Sequence, residues 1–319
     1  MQFWLNEEQP APLRRKYFRF FFVFLNFNRR LRLMVIIYDS SQKPVKLAYA
    51  SYESTNHEAL DTKAPILIMH GLFGSKSNWN SLSKTIHQKT KRKVVTIDAR
   101  NHGDSPHAAQ HTYHHMSEDI ALLANDLEIK KLILMGHSMG GGAVMYTALS
   151  YPELVEKLIV VDFCPTKTSP SLLGMIKLFD AMKSISLEGA PSLTKARKLA
   201  DEQLSVNVKS NAVRQFLLTN LVESEPGKYK WRVNLPVLEE NFPTRIANFT
   251  HEKDRKFNGP TLFIGGTESD YLKESDHPFI QKIFPMAKFH YITGAGHWVH
   301  ADKPKEFLDC LTDFINEEH

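Results

Sequence analysis

The chain has 319 residues, 42% of them hydrophobic, with 2 cysteines and a formal net charge of +5. That apolar content excludes global disorder, two cysteines exclude a disulfide framework or a structural zinc site, and the length allows one large domain with an insertion or two domains. Residues 1–34 carry seven basic side chains against Glu7 and Glu8, and the 33 basic and 33 acidic residues beyond them cancel, so the body has no electrostatic reason to bind nucleic acid.

The first 44 residues form an extension that interleaves arginine with aromatics, as in Arg19-Phe20-Phe21-Phe22-Val23-Phe24-Leu25. Its apolar run is too short to cross a bilayer, and no small-residue cleavage site follows it. Rich in arginine and acid-poor after Glu8, it reads as a mitochondrial targeting segment or a membrane-surface helix, with a disordered tail as the plain alternative.

Val45 to Tyr52 opens the body as a strand. Pro65 to Met69 is a short apolar run, hence a buried strand, and leads into His70-Gly71-Leu72-Phe73-Gly74-Ser75. Lys93 to Asp98 is the next strand and opens into a turn-rich loop, Ala99 to Pro106. His111, His114, His115 and Glu118 then crowd together. Without a second ligand cluster, a solvated helix start is a better reading of them than a metal site. A helix is expected over Met116–Leu127, with Ile120, Leu123, Ala124 and Leu127 on one face.

Leu132 to Met135 is a buried strand, followed by Gly136-His137-Ser138-Met139-Gly140 and a helix over Ala143–Leu149. Strand, sharp turn and helix around G-x-S-x-G is the context of a nucleophile elbow, whose glycines leave room for the bend. Chance gives this pattern in about one chain in ten of this length, so its partners must decide. Leu158 to Val161 is a further buried strand ending at Asp162. Strands at Pro260–Ile264 and Lys288–Thr293 follow, and a closing helix spans about Pro304–Ile315.

Short strands alternating with helices predict an α/β fold with a mostly parallel sheet covered on both faces. Between Cys164 and Lys256 the pattern turns helical, over Leu172–Lys183, Leu193–Leu204 and Val213–Val222. The expected organisation is an extension (1–44), an α/β core (45–163 and 257–319) and a helical cap (164–256) over the carboxyl edge of the sheet. Phe179, Met182, Phe216, Leu217, Trp231 and Phe242 are available either to line an apolar pocket or to fill the cap's own core.

A serine hydroxyl needs a base within hydrogen-bond reach, and the base needs an orienting acid. Ser138 is the candidate nucleophile. His297, in the glycine-rich loop after the last strand, is the candidate base, and His300 is the less favoured alternative. Asp162 and Asp270 both stand at carboxyl ends of strands. We prefer Asp162, because a carboxylate ending a buried strand needs a partner, and keep Asp270 as the alternative acid. Backbone amides of Met139 and of Leu72 or Phe73 are candidates for an oxyanion hole.

The segments His70-Gly71-Leu72-Phe73-Gly74-Ser75, Asp98 to Pro106, Gly136-His137-Ser138-Met139-Gly140-Gly141 and Gly294-Ala295-Gly296-His297-Trp298-Val299-His300-Ala301 together resemble the α/β-hydrolase domain-containing protein 11 family and its bacterial small-ester esterase relatives. Ala196 to Leu204 and Trp231 to Leu235 carry the likeness into the insert. It covers roughly residues 60–318. The resemblance implies an α/β-hydrolase fold, mitochondrial location (against a cytoplasmic alternative) and hydrolysis of lipid esters such as diacylglycerol, and it places the acid on Asp162. Some members have been assigned an aspartate just after the Arg-Val-Asn-Leu segment, where this chain has Pro236.

The expected function is a serine esterase or lipase acting on a small-molecule or lipid ester by two-step acyl transfer. It needs no metal or organic cofactor, does not bind nucleic acid, and works with or without contact to a membrane surface. A thioesterase or acyltransferase on the same residues, and a non-catalytic binding protein on a hydrolase scaffold, are the alternatives.

Overall fold

A computed structural model describes residues 18–27, 30–39, 43–54, 63–252 and 254–318, which fall into two compact units, residues 1–43 and 44–319. In the first unit β1 (Phe18–Phe27) pairs antiparallel with β2 (Arg30–Asp39), Phe18 opposite Asp39. The helix considered for this segment is therefore not what forms. Phe and Val fill seven of the ten positions of β1, and Val35, Ile36, Ile37 and Tyr38 run consecutively in β2, residues that favour the pleated conformation.

The second unit is built on seven strands: β3 (Tyr49–Tyr52), β4 (Ile66–Met69), β5 (Val94–Ile97), β6 (Leu132–His137), β7 (Val155–Val161), β10 (Thr261–Gly266) and β11 (Ala287–Ile292). Their spatial order is β11-β10-β7-β6-β4-β5-β3, parallel throughout except for β3, which runs antiparallel to β5. β4, β5, β6 and β10 are buried at every position, so alternation could not mark them and apolar runs did.

Successive side chains still alternate between two cores. Leu67, Met69, Leu134, Val160 and Phe263 face α2 (Tyr113–Asp126) and α3 (Met139–Ser150). Ile66, Ile68, Ile133, Ile159 and Leu262 face α1 (Asn80–Thr90) and α11 (Pro304–Asn316).

Between β7 and β10 the chain forms α4 (Pro170–Gly174), α5 (Ile176–Lys183), α6 (Leu193–Leu204), α7 (Asn211–Leu218), the hairpin β8 (Leu221–Glu225) and β9 (Lys228–Trp231), and α8 (Leu235–Asn241). The single helix expected over 172–183 is broken near Gly174, a residue that weakens helices. The helix expected over 213–222 stops at Leu218, and its last residues instead start β8. Pro236 sits in the first turn of α8, where its missing N–H costs nothing. Two short helices, α9 (His277–Ile280) and α10 (Val299–Asp302), flank β11.

Hydrogen bonds fasten the intervening segment to the sheet unit, among them the following. Asn220 Nδ2 donates to the Phe73 carbonyl at 2.7 Å, and Tyr113 Oη to the Ile246 carbonyl at 2.7 Å. The Asn234 backbone amide donates to the Asn101 carbonyl, and its Nδ2 to Asn101 Oδ1, each at 2.9 Å.

Candidate active site

Strand order reverses at β6, whose neighbours β4 and β7 lead away in opposite directions, and ligand sites of open α/β sheets lie at the carboxyl ends of the strands at such a point. Ser138 stands there, between β6 and α3, with φ 54° and ψ −119°. So strained a backbone for a residue with a side chain costs on the order of 1–3 kcal/mol and persists only where its surroundings enforce it. The flanking glycines are obligatory. A Cβ on Gly136 would lie 2.1 Å from the Gly140 carbonyl oxygen, and one on Gly140 would lie 2.4 Å from that of Met69.

Three residues meet at this point. His297, in the loop after β11, places Nε2 3.0 Å from Ser138 Oγ, across 159 residues of chain. Its Nδ1 lies 2.7 Å from Asp162 Oδ2, across 135. Asp162 ends β7 at φ 51° and is fully buried. Its carboxylate also accepts from Ser269 Oγ at 2.5 Å and from the Gly266 amide at 3.4 Å, so its lone pairs are occupied in one orientation. A carboxylate on Nδ1 fixes the imidazole tautomer with Nε2 facing the serine as an acceptor. The Tyr271 ring stacks on His297, 3.7 Å between centroids and 19° from parallel.

Asp270, the alternative acid, faces elsewhere. It accepts from Ser169 Oγ at 2.8 Å and from the Ser171 amide at 3.2 Å, tying α4 to the loop after β10. Burial pushes its carboxyl pKa up, but these hydrogen bonds outweigh burial and hold it below the usual range. His300 makes no bond to Ser138. It lies in α10, stacked on Trp79.

The two amides left open between 72 and 73 differ. The Phe73 amide donates to His102 Nε2 at 3.2 Å, whereas those of Leu72 and Met139 meet no protein acceptor among the described residues. His102 donates from Nδ1 to the Arg100 carbonyl, 3.1 Å away, so its Nε2 is free to accept. His70 is arranged alike, with Nδ1 on the Gly71 carbonyl at 2.7 Å and Nε2 accepting from the Ala99 amide at 3.0 Å. Burial holds the pKa of both rings down, and that of His102 far down. These two imidazoles act as neutral braces for the loop beside Ser138. No signal in the sequence marks them, Ser269 or Tyr271, because nothing in one-dimensional spacing points a side chain at another loop.

The histidine group near 111 is not the solvated helix start expected. His114 is exposed, 3.5 Å from Glu118. His111 is fully buried, with Nε2 3.3 Å from Met139 Sδ, and His115 is buried beside Arg100. Burial, with Arg100 next in effect, drives their pKa values down to about 3 and about 4. No group of three or more metal-ligating side chains occurs among the described residues.

A cavity of about 340 Å³ opens over Ser138 and His297. Phe216 and Phe242 line it, whereas Phe179, Met182 and Leu217 are core residues, and Trp231 donates its indole N–H to the Met182 carbonyl at 2.9 Å.

A mostly parallel sheet with a strained serine at the switch point, joined through histidine to a buried aspartate, defines an α/β-hydrolase. A family model described as the alpha/beta hydrolase fold matches residues 64–304. Within that class the chain belongs to the ABHD11 family. It is 45% identical over 272 residues to the sn-1-specific diacylglycerol lipase ABHD11 of Danio rerio, covering 85% of this chain and 83% of the relative. It is 46% identical over 255 residues to the protein of the same name from Mus musculus, covering 80% and 81%. Esterase YbfF of Escherichia coli is 32% identical over 254 residues, covering 80% and 94%. Among solved structures, a marine microorganism esterase aligns with a TM-score of 0.76 and 36% identity, over 85% of this chain and 99% of that one.

Proposed function

We propose that this protein is a serine hydrolase that cleaves neutral lipid esters of the acylglycerol type by acyl transfer through Ser138. The observation that carries this reading is the hydrogen-bonded chain from Ser138 Oγ through His297 to Asp162. His297 takes the hydroxyl proton as Ser138 attacks the ester carbonyl, and Asp162 holds the tautomer and stabilises the imidazolium. The amides of Leu72 and Met139 receive the oxyanion, helped by the positive end of α3. Phe73 drops out of this role because its N–H is committed to His102. His297 then protonates the leaving alcohol, and water, activated by the same ring, releases the acid.

The substrate class rests on the relatives' names and on the apolar cap-side wall of the cavity, which includes Leu172, Met175, Phe216 and Phe242. Residues 164–256 serve as the cap, over a core of 45–163 and 257–319. The basic extension directs the protein to mitochondria. No helix among the described residues is long and apolar enough to cross a membrane. A reporter fused behind residues 1–44 and found outside mitochondria would refute the targeting role.

Transfer of the acyl group to an alcohol instead of water is a second reading. It is supported by the probable alcohol acetyltransferase of Saccharomyces cerevisiae, 33% identical over 298 residues. The primary test is labelling by a fluorophosphonate probe. We expect wild-type protein to label and Ser138→Ala to lose the label completely. An unlabelled wild type that is folded by circular dichroism would leave the binding-protein reading in its place.

A further inference from the structure

Trp79, from the turn Lys76–Trp79, and His300, from α10, stack face to face on the cavity wall, 4.2 Å between ring centroids and 15° from parallel. His300 also meets the ring of His137, the residue before Ser138, edge to face at 4.8 Å. Any flat or aliphatic side chain would satisfy that packing. An imidazole adds two nitrogens, and neither has a protein partner. Nδ1 is buried without a hydrogen bond. Nε2 forms none either, is not sealed off as Nδ1 is, and belongs to a residue that lines the cavity. Buried polar groups are normally paired, because desolvation without a partner is costly. A neighbouring unpaired nitrogen on a pocket wall is what a bound ligand would satisfy.

The chemistry of that ligand is restricted. Burial first, and the neighbouring His297 second, push the His300 pKa down to about 3, so the ring is neutral and its one reachable nitrogen, Nε2, donates or accepts according to the tautomer. No Lys, Arg, Asp or Glu lines the cavity among the described residues, which leaves a phosphate or carboxylate without a counter-charge. Asn78 and Ser81 stand on the same cavity, adding uncharged polar groups beside Trp79. The apolar residues 163, 172, 175, 216, 242 and 246 supply the rest of the wall. A hydroxyl group both donates and accepts, so it satisfies a neutral Nε2 in either tautomer.

We propose that His300 is a specificity-determining residue that hydrogen-bonds a free hydroxyl on the alcohol portion of an uncharged ester. The assignment rests on the hydrolase reading of Ser138, but not on any particular lipid. It makes partial esters of polyols better substrates than fully capped ones.

The test uses a matched pair, 2-hydroxyethyl butyrate and 2-methoxyethyl butyrate, with the full-length protein. The wild type is expected to prefer the hydroxyl ester in kcat/KM. His300→Phe keeps the stack on Trp79 and removes both nitrogens, and it should lower that preference about tenfold, the scale of one hydrogen bond. His300→Gln, which restores a donor and an acceptor, should recover part of it. Fluorophosphonate labelling identifies variants whose Ser138 site is assembled. If His300→Phe does not label, His300→Leu carries the same comparison. No preference in the wild type, or one unchanged by the substitution, overturns the assignment of His300 alone. Folded wild-type protein that neither labels nor cleaves either ester overturns the hydrolase reading and the assignment together.

Discussion

Asp162 and Asp270 end neighbouring strands, yet their environments divide them. Asp162 is buried, braced by Ser269 and bonded to His297, while Asp270 is spent on Ser169 and Ser171. Asp162→Asn presents the wrong tautomer to Ser138 and should lower kcat about 10⁴-fold. Asp270→Asn should stay within about tenfold, because it loosens only the start of α4. Comparable losses in a p-nitrophenyl ester assay would refute the division. Tyr271 invites a second test. Its stack fixes the plane of His297, so Tyr271→Ala should lower kcat while leaving KM nearly unchanged, and Tyr271→Phe, which keeps the ring, should behave as wild type. Ser138 and Asp162 were legible in the sequence because both end apolar runs. Which of Leu72 and Phe73 has a free amide was not, since it depends on His102, which lies 29 residues away.

At the scale of elements, the segment between β7 and β10 shares a hydrophobic core with the sheet unit and adds individually specific hydrogen bonds. Asn234 spends both its backbone and side-chain N–H groups on Asn101, which itself adopts a left-handed φ of 67°. Asn234→Ala should raise KM for long-chain p-nitrophenyl esters several-fold and leave short-chain esters little changed. A uniform loss across chain lengths would mean that the segment does not shape the acyl pocket. The helices packed on the sheet were legible where they bury a broad face, as in α2 and α11. α1 was not, because only Ser83, Ile86 and Thr90 of its eleven residues are buried and two of these are polar. The β8–β9 hairpin escaped for a related reason. Its sequences Leu-Val-Glu-Ser-Glu and Lys-Tyr-Lys-Trp are mostly solvent-facing, so neither helical nor strand periodicity stands out.

For the molecule as a whole, the buried histidines set a limit on acid tolerance. An unfolded histidine takes up its proton near pH 6.5, whereas His111 and His300 resist protonation in the fold down to about pH 3. Above pH 6.5 both states are neutral and these residues contribute no pH dependence. As pH falls below 6.5 only the unfolded chain binds the protons, so stability drops, by about 1.4 kcal/mol per pH unit for each such ring. Thermal melts between pH 7.5 and 4.5 should therefore show a falling Tm, with a shallower slope in His111→Gln. An equal slope in that variant would assign the effect to other groups. Removal of residues 1–43, a unit separate from the seven-stranded sheet, should leave esterase kcat/KM within about twofold.

On the proposed mechanism, the distances in sequence between Ser138, Asp162 and His297 also govern when activity can begin. Domains emerge from synthesis amino end first, and contacts spanning well over a hundred residues close late because the loop between them must be ordered. Until β11 has added to β10, the serine already sits on its elbow but has no base. A growing chain is therefore chemically silent towards the esters around it, and reactivity with a serine-directed probe appears only when the sheet is complete. The rate of labelling during refolding would then time the docking of the last strand.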